Sequence, residues 1–347
     1  MIPNTGFQCN TAKNRRLTVN ESAVFFSDIR FQTQNFPHIF PAEIILYFSG
    51  SFPLNGGRSM TDDNTKIVFI GGDKRMIYAA KRLADDCECA AAGFELIGDE
   101  LRGGLKTYSG GRYDIAVLPV FAGGTKEIRC PFANRAYDIC ILPRLLKGGG
   151  IVFAGNVFPE LTALCDNSGF TLYDYLTREE LAIRNARLTA EGAVMTAISE
   201  TESSVHGSEM LVIGFGRIGK LCAGYFAALG ADVTVAARRL SDRVWAESYG
   251  YGTVDITDSG AFDTVLAKSD IIVNTAPAKV LAGESAAAVR SCTLLIELAS
   301  VPCTDGQPGF RIVNAGGLPG KTAPAAAGAI IADTIKNILT ERSNQNE

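Results

Sequence analysis

One six-residue segment, Gly214-Phe215-Gly216-Arg217-Ile218-Gly219, constrains the fold of this 347-residue chain more than any other. It follows a predicted buried strand at 210–213 and precedes a predicted helix at 220–229 and a second strand at 232–236. A strand, a GxGxxG turn, a helix and a strand in this order are typical of a dinucleotide-binding Rossmann fold. The glycines allow a tight turn, the approach of a pyrophosphate and close helix packing, and the helix N-terminus supplies N–H donors. We predict that this segment binds a nicotinamide dinucleotide; the alternative is a glycine-rich turn without a ligand.

The end of the second strand bears on the choice between NAD and NADP. NAD-binding sheets usually carry a carboxylate about 20 residues beyond the glycines, where it accepts hydrogen bonds from the ribose 2′-hydroxyl. Here the strand runs into Ala237, Arg238 and Arg239, and guanidinium groups suit a 2′-phosphate. We therefore predict NADP rather than NAD, bound through Arg238 and Arg239. The alternative is that both side chains stack on the adenine or lie in solvent.

Composition excludes several other classes of function. The net charge of −4 gives no basic stripe for nucleic acid, and no apolar run reaches the roughly 18 residues that would span a membrane. The nine cysteines show no CxxC spacing and there are only two histidines, so we predict no metal site. These features predict a soluble, cytoplasmic protein.

Strands and helices alternate from Lys66 onward, which predicts an α/β fold of two doubly wound domains with parallel sheets, the second an NAD(P)-binding Rossmann fold. Residues 1–59 lack this pattern and are predicted to be an irregular leader, either a translation artefact before a true start at Met60 or a disordered arm. The remaining predicted boundaries are 60–176 for a flavodoxin- or Rossmann-like substrate domain, 177–201 for an interdomain helix, 202–320 for the NAD(P)-binding domain and 321–347 for a C-terminal helix and tail.

The first turn of the substrate domain, Gly71-Gly72-Asp73-Lys74-Arg75, resembles a phosphate-binding turn but lacks GxGxxG. A second nucleotide is therefore the weaker interpretation, and Arg75 is a candidate to bind a substrate carboxylate at the helix N-terminus. The alternative is a plain connection with Arg75 in solvent. In this domain we predict strands at 67–70, 94–97, 114–118 and 150–154, and helices at 74–85, 137–146 and 158–166.

The interdomain helix carries a polar stripe beside a stripe of alanines. Thr177 and Glu180 have the spacing of a capping box at its start. Asn185 and Thr189 belong to the polar stripe, which would line an interdomain cleft or form a solvated edge. The exposure of Glu191 discriminates between these two interpretations.

Three later turns follow predicted strands of the second domain, where ligands of open α/β sheets bind. Asn274-Thr275-Ala276-Pro277 is small and rigid enough to pass a ribose or a pyrophosphate. The second turn begins at Glu297. The third, a loop rich in glycine and proline before the last helix, brings the cation of Lys321 to this edge.

These residues together resemble a known family. From Met60 onward the chain is similar to the A subunit of dipicolinate synthase, a family of spore-forming bacteria. The similarity lies in the five residues 71–75, in NARLTAEGA from Asn185 to Ala193, in the glycine turn, in ELAS at 297–300 and in GLPGKTAP from Gly317 to Pro324. NARLTAEGA and GLPGKTAP are far more particular to this family than the glycine turn.

The resemblance implies NADP-linked oxidation of dihydrodipicolinate to the aromatic pyridine-2,6-dicarboxylate during sporulation. A dicarboxylate needs cationic clamps, for which Arg75 and Lys321 are candidates, with Asn185 and Thr189 as orienting donors. Glu191 or Glu297 would take a ring proton if burial raises the pKa; both are equally well structural carboxylates. The resemblance also implies a flavoprotein-like partner, the B subunit of dipicolinate synthase, and leaves a homo-oligomer open.

Two other classes of function compete with this one. The chain would be a self-sufficient NAD(P)-dependent dehydrogenase of amino or hydroxy acids, although only His206 is available in its second half as a catalytic histidine. Alternatively, it would be a non-catalytic NADP-binding module.

Overall fold

The alternating strands and helices build two six-stranded sheets. A computed structural model describes residues 65–121, 125–305 and 309–345, so the prediction for residues 1–59 lies outside the described residues. The strands are, in chain order, β1 (Lys66–Ile70), β2 (Glu88–Ala92), β3 (Lys106–Thr107), β4 (Tyr113–Val120), β5 (Glu127–Ile128), β6 (Tyr137–Asp138), β7 (Leu146–Gly155), β8 (Thr171–Asp174), β9 (Glu209–Ile213), β10 (Asp232–Ala237), β11 (Gly252–Asp255), β12 (Ile271–Asn274), β13 (Leu294–Glu297) and β14 (Arg311–Asn314).

The helices flank these sheets. They are α1 (Lys74–Leu83), α2 (Asp99–Arg102), α3 (Leu142–Leu145), α4 (Pro159–Ser168), α5 (Glu179–Glu200), α6 (Arg217–Ala228), α7 (Leu240–Ser248), α8 (Ser259–Leu266), α9 (Glu284–Ala288), α10 (Leu318–Thr322) and α11 (Pro324–Gln345), with 3-10 turns at Ile139–Ile141 and Tyr175–Thr177.

Both sheets have the same topology. The first has the order β3-β2-β1-β4-β7-β8 and the second the order β11-β10-β9-β12-β13-β14, and all of their strand pairs are parallel. Strands β1 and β9 are buried along nearly their whole length because helices cover both faces of each sheet. This arrangement confirms the predicted fold class of two doubly wound α/β layers.

Two elements of the first sheet differ from the sequence prediction. The strand expected at 94–97 is wrong, since β2 is the alanine-rich stretch Glu88–Ala92, which pairs along its length with β1. Alanine has little preference for strands, so the pairing and burial decide here rather than propensity. The helix expected at 137–146 is reduced to a 3-10 turn and the four-residue α3, because Leu146 already begins β7.

The long helix α5 begins differently from the prediction. Thr177 does not cap it; its hydroxyl instead donates to the carbonyl of Asp174 at 2.8 Å. Arg178 is the N-cap residue, and its side chain makes no capping hydrogen bond to the helix backbone. Glu180 does not complete a capping box but accepts from Nε of Arg178 at 2.8 Å. The predicted alanine stripe is confirmed as the buried face of the helix (Ala186, Ala190, Ala193 and Ala197).

The last helix, α11, returns to the first sheet and packs on α1. A Cβ atom at Gly328 would lie 2.4 Å from the carbonyl oxygen of Arg75 and 2.7 Å from Cβ of Tyr78, so the two helices approach through this glycine. Ile331 and Ile335 of α11 are buried in the same core as Phe69 of β1. The C-terminal segment therefore forms part of the core of the first sheet.

Candidate functional site

Each sheet has one point where the strand order reverses, and ligands of open α/β sheets bind in the crevice outside the strands at such a point. In the first sheet it lies between β1 and β4, and in the second between β9 and β12. The turn Gly71-Gly72-Asp73 follows β1, and the segment Gly214 to Gly219 follows β9. We call these two places the first and the second crevice.

Each glycine of the second crevice has a separate structural reason. Gly214 has a φ of +90°, which disfavours any residue with a side chain. A Cβ atom at Gly219 would lie 2.1 Å from the carbonyl oxygen of Gly214, so helix and turn could not pack as they do. A Cβ atom at Gly216 would meet nothing within 4 Å and would project into open space. That open space leaves room for a pyrophosphate to approach the backbone of the turn.

The N-terminus of α6 is prepared for an anion. Gly216 is its N-cap residue, no side chain accepts a hydrogen bond from its first N–H groups, and its first turn has no acidic residue. Unpaired donors at the positive end of a 12-residue helix attract phosphate. Arg217 is half exposed and reaches Glu179 of α5 at 2.5 Å, and Ile218 packs partly against the core. The predicted cofactor residues of this turn thus fit a dinucleotide.

The two arginines after β10 are not equivalent. Arg239 donates from Nε and Nη2 to both carboxylate oxygens of Asp242, at 2.8 and 3.0 Å. Arg238 is exposed, and its side chain has no partner among the described residues. Arg243, which the sequence analysis did not single out, donates to the carbonyls of Ala237 and Arg238 and so fixes the end of the strand. Arg238 is therefore the arginine available to a 2′-phosphate.

The turn after β12 is held by its own side chains. The hydroxyl of Thr275 donates to the carbonyl of Ile213 at 2.9 Å and ties this turn to the end of β9. Asn274 is buried, and its amide group bonds to the backbone N–H and carbonyl of Ala276. Asn274 and Thr275 therefore shape the crevice wall, while Ala276 and the exposed Pro277 reach its surface.

The carboxylate of Glu297 holds two segments together, whereas a base that accepts a ring proton would need an unoccupied oxygen. Its side chain is 4% exposed, and Oε1 accepts from Nδ2 of Asn274 at 2.7 Å and from the backbone of Ala299 at 3.0 Å. Oε2 accepts from the backbone of Cys303 at 2.8 Å. With both oxygens engaged, this carboxylate joins β12 to the loop after β13, so we no longer assign it a proton transfer.

Glu191 does not meet the condition set for it either. Its side chain is 50% exposed and lies 3.7 Å from Arg187, one turn earlier on α5. Glu191 itself therefore lies in solvent, whereas Thr189, Gly192 and Thr196 of the polar stripe are buried. Asn185 is half-buried, and Thr189 donates its hydroxyl to the carbonyl of Asn185 at 3.0 Å.

The first crevice has an ion pair at the start of its helix, where the second has the uncapped Gly216. Asp73 caps α1 by accepting from the backbone of Arg75 at 3.0 Å, and its two oxygens accept from Nε and Nη2 of the same arginine at 2.9 Å each. Burial would raise the pKa of Asp73, but the hydrogen bonds and charge of Arg75, with a smaller contribution from Arg129, lower it. Burial likewise disfavours charge on Arg75, yet Asp73 raises its pKa above the usual value. The pair is therefore ionic.

A cleft opens beside this pair. Its walls are Gly72, Asp73, Arg75, Met76, Pro119, Val120, Arg129, Tyr175 and Ile331. Tyr175 is fully buried, which raises the pKa of its phenol, and it donates to the carbonyl of Leu118 at 3.1 Å. The cleft has a cavity volume of only about 20 Å³ and combines cations with apolar walls, the chemistry that a small organic anion requires.

The loop of Lys321 touches the same place. A Cβ atom at Gly320 would lie 3.0 Å from Nε of Arg75 and 3.3 Å from Oδ2 of Asp73. Lys321, the next residue, is exposed and has no side-chain partner in the described ranges. On the other side of α10, a Cβ atom at Gly192 would lie 2.9 Å from Cβ of Leu318. Helix α10 thus connects α5 with the first crevice.

Comparison with known proteins identifies the family. Residues 66–176 match the model of the N-terminal domain of the dipicolinate synthase A subunit, and residues 179–284 match the NAD-binding domain of D-isomer specific 2-hydroxyacid dehydrogenases. The dipicolinate synthase A subunit of Bacillus subtilis (strain 168) is 30% identical over 290 residues, which are 80% of this chain and 96% of the relative. The chain belongs to the family of dipicolinate synthase A subunits.

Solved structures of the family agree with this assignment. Dipicolinate synthase A chain of Bacillus subtilis has a TM-score of 0.70 at 28% identity and covers 83% of this chain and 100% of its own. The corresponding protein of Bacillus halodurans has a TM-score of 0.68 at 28% identity, with 79% and 97% covered. With the dehydrogenase domain, these similarities make the chain an NAD(P)-dependent oxidoreductase. Within the described ranges, no helix is both long and apolar enough to cross a membrane.

Proposed function

We propose that the chain oxidises dihydrodipicolinate to dipicolinate, pyridine-2,6-dicarboxylate, with NADP as the hydride acceptor. The observation that carries the proposal is that the two sheets have the same strand order but different crevices. The second crevice has an uncapped glycine turn suited to a dinucleotide, and the first has a cleft with Arg75 suited to a carboxylate. Family membership supports the same substrate class. Residues 60–176 would then form the substrate domain and 202–320 the cofactor domain.

The chain's own residues position the reactants. The N–H groups at the start of α6 bind the pyrophosphate, and Arg238 binds the 2′-phosphate that distinguishes NADP from NAD. NADP, when bound, supplies a nicotinamide ring that accepts a hydride. Arg75 and Lys321 bind carboxylate groups of the substrate, and Asn185 and Thr189 orient it. Because the product ring is aromatic, the reaction itself is favourable and needs modest acid–base help.

The proposal includes a partner and a cellular setting. The family's designation as one subunit of a synthase supports a second chain, the flavoprotein-like B subunit of dipicolinate synthase, that is needed for full activity. A homo-oligomer is compatible with this. A cytoplasmic role in sporulation follows from the resemblance noted in the sequence.

The decisive experiment incubates the purified chain with dihydrodipicolinate and NADP, with and without the flavoprotein-like partner, and follows the absorbance of the pyridine product. Formation of product together with NADPH supports the proposal. Turnover of an unrelated hydroxy or amino acid instead would favour a self-sufficient dehydrogenase, and cofactor binding without turnover under any pairing would favour a binding module.

A further inference from the structure

We propose that Arg129 binds one carboxylate of the substrate in the first crevice, next to Arg75. The inference rests on the proposed function, since it takes the dicarboxylate as the ligand. Arg129 lies on the segment after β5, far in sequence from the turn that follows β1, so sequence spacing did not reveal it. It lines the cleft together with Arg75, and its charge is felt at Asp73.

The backbone of Arg129 is fixed to the turn of the first crevice. Its carbonyl accepts from the N–H of Gly72 at 2.7 Å, and a Cβ atom at Gly71 would lie 3.0 Å from that same oxygen. Both glycines have a positive φ, +65° at Gly71 and +94° at Gly72, so the turn is committed to this path. Arg129 is thereby placed at the mouth of the cleft by main-chain contacts rather than by its own side chain.

Of the two cations that line the cleft, Arg129 is the one without a carboxylate partner among the described residues; Lys321 lies outside that lining. Asp73 engages Nε and Nη2 of Arg75 and cancels its charge. The side chain of Arg129 is exposed and has no hydrogen bond or ion pair with the described residues. One carboxylate and two guanidinium groups leave the cleft with one net positive charge, which Arg129 supplies. Asp73 acts as a positioning residue, because it orients Arg75 and leaves its remaining N–H donors for the second carboxylate.

The apolar walls of the cleft strengthen the hydrogen bonds that its charged groups can form. Met76, Tyr175 and Ile331 are all at least 95% buried, so little water contacts these walls of the cleft. Charge-assisted hydrogen bonds strengthen where water is excluded.

The test is a ligand-truncation cycle on the full-length chain saturated with NADP. Calorimetry measures Kd for pyridine-2,6-dicarboxylate and for pyridine-2-carboxylate, which lacks one carboxylate. The wild type should bind the dicarboxylate about 10- to 100-fold more tightly, the range of one charge-assisted contact. Arg129→Gln should lose most of this ratio, and Arg129→Lys should keep part of it. Arg144→Gln, at an exposed arginine of α3, should retain the wild-type ratio.

The outcomes separate the two levels of the argument. If Arg129→Gln keeps the full ratio while its unfolding temperature matches that of the wild type, Arg129 is not a carboxylate ligand and the proposed function stands. If Arg129→Gln and Arg144→Gln lose the ratio equally, a general loss of positive charge explains the effect, and the specific assignment is overturned. If the wild type binds neither ligand, the proposed substrate is wrong and the role of Arg129 falls with it.

Discussion

The two crevices share a strand order and a strand–turn–helix path, yet they begin their helices differently. After β9, Gly216 caps α6 without any side-chain acceptor, so the first N–H groups of the helix are available. After β1, Asp73 caps α1 with its own carboxylate. The first helix therefore already has an anion at its N-terminus, whereas no side chain supplies one to the second. This explains in physical terms why a second nucleotide at the turn 71–75 is the weaker interpretation.

The difference shows that topology positions a crevice and the residue at the N-cap selects its ligand. Doubly wound sheets present the same edge to solvent whatever they bind. A capped helix beside an ionic pair, as in the first crevice, leaves recognition to side chains such as Arg75. An uncapped glycine helix leaves recognition to the backbone. The predictions below test this division, from the largest effect to the smallest.

The largest effect is expected from Gly219→Ala. Its Cβ atom would lie 2.1 Å from a backbone oxygen, so the turn must shift, at a cost of about 1–3 kcal/mol in the free energy of unfolding. Binding of NADPH, followed by its fluorescence, should weaken by more than about 100-fold, because several phosphate contacts are lost together.

Gly216→Ala is the matched control for the second crevice. Its Cβ atom would meet open space, so the unfolding temperature should stay near that of the wild type while cofactor binding is still impaired. Unimpaired NADPH binding in Gly216→Ala would show that the space beside Gly216 is not a ligand position.

The next effect concerns the choice of cofactor. Arg238→Ala should raise KM for NADP about 10- to 100-fold and leave KM for NAD nearly unchanged, because a charge-assisted contact to the 2′-phosphate is removed. Arg239→Ala should act much less, since Asp242 already engages that guanidinium. An unchanged preference in Arg238→Ala would reject the assignment of NADP to this residue.

Local patterns predicted the second crevice well and the first one poorly. The glycine turn and its flanking strands are contiguous in the sequence, so a single short segment was enough to predict them. Arg129 lies far along the chain from the turn at 71–75, and Ala299 and Cys303 donate to Glu297 through backbone groups that carry no side-chain signal. The alanines of β2 have a low propensity for strands, and they form one because they pair with β1. The spacing of Asp73 and Arg75 was the one available signal for a cap and ion pair in the first crevice.

Asp73→Asn should produce a smaller, pH-dependent effect. Asparagine still caps α1, but the ion pair with Arg75 is lost, which should cost about 1 kcal/mol at neutral pH for a half-buried pair. The pKa of Asp73 is lowered in the folded protein, so its stabilisation is present above the ordinary value of 3.8 and is lost as the pH falls through the lowered folded value. Urea unfolding of both proteins should therefore give a constant difference at pH 5–7 that shrinks below about pH 4. A difference that grew in acid would contradict an ionic Asp73–Arg75 pair.

Glu191→Gln should have the smallest effect. It tests whether a residue in a family-specific stretch of sequence matters when its side chain lies outside both crevices. Glu191 lies within NARLTAEGA, one of the two stretches particular to the family, yet its carboxylate is half exposed and pairs with Arg187 one turn earlier on α5. Exposed pairs at this spacing contribute a few tenths of a kcal/mol, so the unfolding equilibrium constant and kcat/KM should each change by less than about twofold. The unfolding temperature should therefore stay close to that of the wild type. The neighbouring Gly192 instead meets Leu318 of α10 and would not tolerate a side chain. A large loss of kcat in Glu191→Gln, with KM and stability unchanged, would restore this carboxylate as a proton acceptor.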